Sequence, residues 1–209
     1  LASIGWATSQ SNVLVVNLSV PAKSVQELIA LAKAQPGKLT YGSSGAGGVN
    51  HLITELFRSA AGIELIHVPY KGAGPAMIAL LSKEIDISVA SPVAIMSQVR
   101  AGQVRALAVS GAARSPTLPD VPTIAETAVP GFDSTAWYAM LAPAGTPRAY
   151  IDKLQGAVVV AMRTPLIIER LNAEGAAPEP TTPEALRKLI EVDSQRWAKA
   201  VKISGAKLD

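Results

Sequence analysis

The stretch Tyr41-Gly42-Ser43-Ser44-Gly45-Ala46-Gly47-Gly48-Val49-Asn50-His51 decides how the rest of the chain is read. It follows a short apolar segment, Leu39 to Gly42, and precedes Leu52, Ile53, Leu56 and Phe57, which recur with a helical period. Strand, glycine-rich turn and helix in immediate succession predict one unit of an α/β fold. Glycines after a strand let backbone N–H groups approach a ligand closely, and the following helix N-terminus offers unpaired donors and about half a positive charge. A carboxylate or phosphate suits such a loop, and Ser43 and Ser44 add hydroxyls. The loop lacks the Lys-Ser/Thr ending of a P-loop, and Asn50 stands where the dinucleotide fingerprint needs its third glycine. Ser43, Ser44, Gly45, Ala46 and Gly47 are therefore the candidate anion-binding residues; the competing reading is a tight strand-to-helix turn with no ligand.

Working outward, Val13 to Leu18 reads as a strand, followed by Ser24-Val25-Gln26-Glu27, a capping box opening a helix that stops at Pro36-Gly37. Downstream the unit repeats: strands at 63–68, 85–90 and 104–110 alternate with helices at 75–81 and 92–100. Continuous Val, Ile and Leu runs between helices predict a parallel sheet covered on both faces. A proline-rich connector, 114–130, carries only a short turn at 123–126. Beyond it come a strand at 137–142 and three helices, each opened by Thr-Pro: Thr146-Pro147, Thr164-Pro165 and Thr182-Pro183. This order places one α/β lobe at residues 17–131, with 1–16 and 132–209 forming the remaining part of a second lobe, so that the chain crosses between lobes twice.

Loops that follow successive parallel strands share one sheet edge, so the segments 67–75 and 90–92 fall beside the glycine loop. Tyr70 and Ser91 join the candidate site on that ground, although Tyr70 can equally pack on the connector, and a Ser91 hydroxyl at a helix cap serves the backbone first. A Ser44 nucleophile with His51 as base is the catalytic alternative, but the nucleophile-elbow spacing is absent, since Ala46 stands where it requires glycine. His51 and Glu55 at i and i+4 lack a third metal ligand, so no metal and no cofactor are expected.

Composition narrows the classes further. The 209 residues are 49% hydrophobic and 17% charged, which excludes a disordered chain. A net charge of +3 without any basic stripe argues against nucleic acid as a partner. There is no cysteine, which removes thiolate chemistry and leaves the compartment open. No apolar run reaches the roughly 18 residues of a membrane helix, and the start, Leu1 to Trp6, lacks the succession of a signal peptide.

Six segments together resemble one known family. They are Asn17-Leu18-Ser19-Val20-Pro21-Ala22-Lys23-Ser24, Pro36-Gly37-Lys38-Leu39-Thr40-Tyr41-Gly42-Ser43, His67-Val68-Pro69-Tyr70-Lys71-Gly72, Arg105-Ala106-Leu107-Ala108-Val109, Leu118-Pro119-Asp120-Val121-Pro122-Thr123 and Leu141-Ala142-Pro143-Ala144-Gly145-Thr146-Pro147. In this order they resemble the Bug-type extracytoplasmic solute receptors of tripartite tricarboxylate transporters. The resemblance implies a type II periplasmic binding protein fold, no catalysis, a periplasmic location, and a small carboxylate held between two lobes for delivery to membrane components of the transporter. A sensor or adaptor without transport would share the same lobe. The family begins with a signal peptide and a first-lobe segment bearing its own glycine-rich loop; neither precedes Leu1, so the first lobe is expected to be incomplete and its exposed sheet edge prone to self-association. Many members carry Asp-Asn where this chain has Ala90-Ser91, which removes a fixed negative charge from the pocket edge.

Overall fold

The computed structural model describes residues 1–205. In chain order the elements are β1 (Ala2–Ser11), β2 (Val13–Asn17), α1 (Val25–Ala34), β3 (Thr40–Ser43), α2 (Val49–Ala61), β4 (Ile66–Pro69), α3 (Ala73–Leu81), β5 (Ile87–Ala90), α4 (Pro92–Arg100), β6 (Val104–Val109), α5 (Ile124–Thr127), β7 (Thr135–Ala142), α6 (Arg148–Met162), α7 (Pro165–Ala173), β8 (Ala176–Pro178) and α8 (Pro183–Ser204). They form a five-stranded sheet in the order β4-β3-β5-β2-β6 and a three-stranded sheet in the order β7-β1-β8.

Residues of β2 alternate between two cores. Leu14 and Val16 face Leu28 of α1 and Ile53 and Phe57 of α2, whereas Val13 and Val15 face Ala79 and Leu80 of α3 and Ile95 of α4. All of β2 is buried, which is why it reads as an unbroken apolar run rather than an alternating one. Each apolar side chain buried this way contributes about 1.5–3 kcal/mol.

The fold class is the expected α/β one, but the pairing differs in one strand. β3 runs parallel to β4 and β5, while β2 is antiparallel to both β5 and β6. The cause lies in how β2 is reached. It follows β1 of the other sheet after the single residue Asn12, not a helical crossover on its own sheet, so the handedness rule for βαβ units does not set its direction. Strand β1, unassigned from sequence, is the middle of the three-stranded sheet, antiparallel to β7 and β8.

The two chain crossings are bolted together by buried polar groups. Ser110 N–H donates to Asn12 O (2.8 Å), Asn12 N–H donates to Ser110 Oγ (3.0 Å), and Ser134 N–H donates to Ser110 O (2.7 Å). Helix α8 spans both units: it lies against β1 and α2, and Trp197 packs on the core of the five-stranded sheet. Thr164 and Thr182 are N-caps as read from sequence; at the third Thr-Pro, Pro147 itself takes the cap position and Thr146 Oγ1 donates to Pro143 O. At α1 the Ser24 hydroxyl accepts from Glu27 N–H, but Glu27 returns the bond to Lys23 N–H, one residue short of a reciprocal box.

Candidate functional site

The parallel strands β3, β4 and β5 end at one edge, and the helices that follow them, α2, α3 and α4, start there. A cavity of about 70 Å³ lies among these starts, lined by Ser43, Ser44, Asn50, Ser88 and Ser91 with Ala73, Ala76, Met77, Ala90 and Ala94. The N-caps of the three helices are Gly48, Gly72 and Ser91, and none makes a side-chain cap bond. By contrast Ser24, Thr123 and Thr182 cap α1, α5 and α8 through their hydroxyls. Three helix N-termini, the positive ends of their dipoles, therefore meet at one serine-lined hollow, although Pro75 and Pro92 each remove one first-turn N–H from α3 and α4 and the Ala94 amide is taken by Ser91 O. None of its described lining residues is charged.

Sequence-derived candidates separate into two groups. Ser43, Ser44 and Ser91 line the cavity. Ser91 makes no side-chain cap bond, contrary to the expectation for a cap serine; the Ala94 amide donates to Ser91 O instead (3.0 Å). Gly45 and Gly47 shape the loop: the Gly45 amide donates to Ser43 Oγ (3.2 Å) and the Gly47 amide to His51 Nδ1 (3.0 Å). Both glycines, and Ala46 between them, form the turn; Gly45 has φ +144° and Gly47 φ +75°, conformations that L side chains disfavour. Tyr70 extends the strand ladder, its amide donating to Ser43 O (3.0 Å), but its ring packs against the core cluster that includes Ile85, next to Gly42, and is not among the cavity-lining residues.

Ser88 and Asn50 were not among the candidates. Ser88 is a buried polar residue within the apolar run Ile87-Ser88-Val89, which is the signal that could have found it. Asn50 donates from Nδ2 to Val89 O (2.6 Å), pinning the start of α2 to β5.

Beneath the loop lies a ring cluster. His51 and His67 stack at 3.9 Å between centroids, and the Tyr41 ring lies 4.8 Å from His67. Tyr41 OH donates to Glu55 Oε1 (2.6 Å), and Arg58 holds Glu55 Oε2 (2.6 Å). Burial, with the neighbouring Glu55 carboxylate, pushes the Tyr41 phenol well above its ordinary range. Burial lowers both histidines, His67 to about 4 with His51 adding to the effect. Ser43 Oγ sits 2.7 Å from His67 Nε2, so the structure pairs Ser43 with His67 rather than Ser44 with His51. That pair is poorly set for catalysis: Ser43 is 1% exposed, its oxygen is shared with Gly45, and a base with so low a pKa takes up a proton poorly near neutrality.

Larger hollows lie elsewhere. One of about 370 Å³ follows the crossings between the sheets, with Ser9, Gln10, Ser11, Arg114 and Thr135 in its wall. Another, about 580 Å³, is an open groove between β1, α6 and α8 that none of the candidates lines.

With this geometry in place, the sequence matches the model of the tripartite tricarboxylate transporter family receptor, TctC, over residues 1–205. The chain belongs to the TctC receptor family. Among TctC relatives, BugT of Bordetella pertussis is 37% identical over 94% of this chain and 60% of its own length. A UPF0065 protein of Agrobacterium vitis is 34% identical over 98% of the chain and 60% of its own length. The chain thus spans about 60% of the length of these curated TctC relatives. Solved structures agree on the fold. R. palustris Rpa4515 with adipate superposes with a TM-score of 0.88 at 34% identity, covering 98% of this chain and 69% of that one. MatC from Rhodopseudomonas palustris with bound malate gives 0.84 at 29% identity, covering 96% and 69%. The TctC chain described here therefore has the α/β fold of periplasmic binding proteins, matching about 70% of the length of these solved chains.

Proposed function

We propose that this chain is the carboxylate-binding part of a periplasmic solute receptor that captures a small organic acid for the membrane components of a tripartite tricarboxylate transporter, and that it binds without turnover. The observation that carries this reading is the meeting of three helix starts without side-chain caps at one uncharged, serine-lined cavity. A cavity of about 70 Å³ matches a carboxylate group rather than a whole ligand, since one water takes about 30 Å³ of liquid. The rest of the acid then extends toward the hollow at the crossings, at the end of the sheet where the Gly175 backbone meets Pro92, the neighbour of Ser91. Related receptors with adipate and with malate support this ligand class. In this reading the ligand-binding lobe is the one expected at 17–131, except that it begins at Val13, because all of β2 lies in the five-stranded sheet; the residues before Asn12 and 132–209 belong with the other, and Ser43, Ser44 and Ser91 contribute hydroxyls while the glycine loop holds its shape.

The test is calorimetry of the chain with malate and adipate at pH 7, beside Ser91→Ala and Ser44→Ala. Binding that weakens in both variants supports the reading. Equal affinity in all three proteins moves the site elsewhere, and steady consumption of either acid would replace the receptor with an enzyme.

A further inference from the structure

Both histidines of the chain lie under the glycine loop, and each holds it by a different atom. His51 Nδ1 accepts the Gly47 amide (3.0 Å). His67 Nε2 lies 2.7 Å from Ser43 Oγ, which in turn accepts the Gly45 amide (3.2 Å). The imidazole planes are 10° apart with centroids at 3.9 Å, so the two rings share one desolvated space.

We propose that His51 and His67 are positioning residues for the anion site: as a neutral stacked pair they hold the glycine loop in its binding shape, and protonation of the pair releases it. This rests on the reading of the loop as part of a carboxylate site. In His51 an Nδ1 that accepts leaves the hydrogen on Nε2, so the next proton must enter at Nδ1, against the Gly47 N–H. Two donors then face each other and the bond is lost. A second charge on His67 adds like-charge repulsion across the stack. The facing groups do not reverse this: Tyr41 of β3 is neutral, Glu55 of α2 favours the charged imidazoles, and Arg58, which pairs with Glu55, opposes that at His51. Burial is the largest influence on both rings and keeps them neutral near pH 7. An imidazolium would attract an anion, but its proton opens the loop that the anion needs.

The experiment is an NMR titration of the isotopically labelled chain from pH 7 to 4.5 without ligand, following the histidine rings and the Gly45 and Gly47 amides. The Gly47 amide is expected to move with the His51 ring, and His51→Phe, which keeps a stacked ring without the acceptor, is expected to abolish that movement. His51→Gln, whose Oε1 can accept the Gly47 amide, should restore the loop shape without the titration. Malate or adipate affinity at pH 7 should fall about tenfold in His51→Phe, the equivalent of one hydrogen bond, and less in His51→Gln. Glycine amides that stay still while the histidines titrate, or that behave in His51→Phe as in the parent chain, would overturn the proposal. Coupled movement with no binding of either acid would support the histidine lock and overturn only the carboxylate reading.

Discussion

The indole Nε1 of Trp137 donates to Oδ2 of Asp193 at 2.5 Å, joining β7 to α8 across 56 positions of sequence. Asp193 is 3% exposed and its other oxygen is held by Arg196 at 2.9 Å. Arg196 reaches on to Asp133 O (3.1 Å), next to the second crossing. This chain of bonds fastens the C-terminal helix to the connection between the two sheets.

Trp137→Phe should therefore cost more than the lost indole area, because it strips one partner from a buried carboxylate. A hydrogen bond to a charged group contributes roughly 1.5–3 kcal/mol. Urea unfolding is expected to show a loss of about that size, and an unchanged midpoint would mean that Asp193 is satisfied without the indole.

The backbone at Gly45 makes a second prediction. At φ +144° a side chain is strained whatever the space around it. Gly45→Val should refold the turn, take its amide off Ser43, and weaken malate or adipate binding by about tenfold or more, on the scale of 1.4 kcal/mol per decade. Calorimetry decides it, and equal affinity would detach the loop from the site.

The histidines give stability a pH slope with a definite sign. Both have folded values below the ordinary 6.5, His67 at about 4, so the unfolded chain takes up protons more readily. Their stabilisation is fully present above about pH 6.5 and is lost as pH falls through the folded values. The urea midpoint of the ligand-free chain should decline from pH 6.5 to 5, and the decline should shrink in His67→Gln.

At the edge of the three-stranded sheet, β7 pairs with β1 on one side and, among the described residues, with no strand on the other. Tyr138, Met140 and Leu141 are 56%, 43% and 44% exposed along it. Unpaired backbone beside apolar side chains is a template for another copy of the chain. Sedimentation is expected to show association that grows with concentration and is reduced by Leu141→Lys; a monomer at all concentrations would refute it.

Local signals carried far in this sequence. Pro92 to Arg100 and the helix after Ser24 were legible from caps, periods and stops, and the order of strand, loop and helix placed Ser43 and Ser91 on one edge. What escaped depends on partners distant in sequence. Ser3-Ile4-Gly5-Trp6-Ala7-Thr8-Ser9 has no apolar run, and it becomes a strand because β7 and β8 pair with it from more than 120 positions away. The reversed direction of β2 comes from its entry across Asn12, which no residue of β2 encodes. His67 looked like one more strand residue until the fold stacked it on His51.

The convergence of three helix starts also bears on how such receptors diversify. Where a charged side chain neutralises the ligand, one base change can abolish recognition; where main-chain dipoles do it, every residue type except proline supplies the same N–H. In the proposed carboxylate reading that attraction would be inherited with the topology itself, and selection would be free to vary the walls that meet the remainder of the acid.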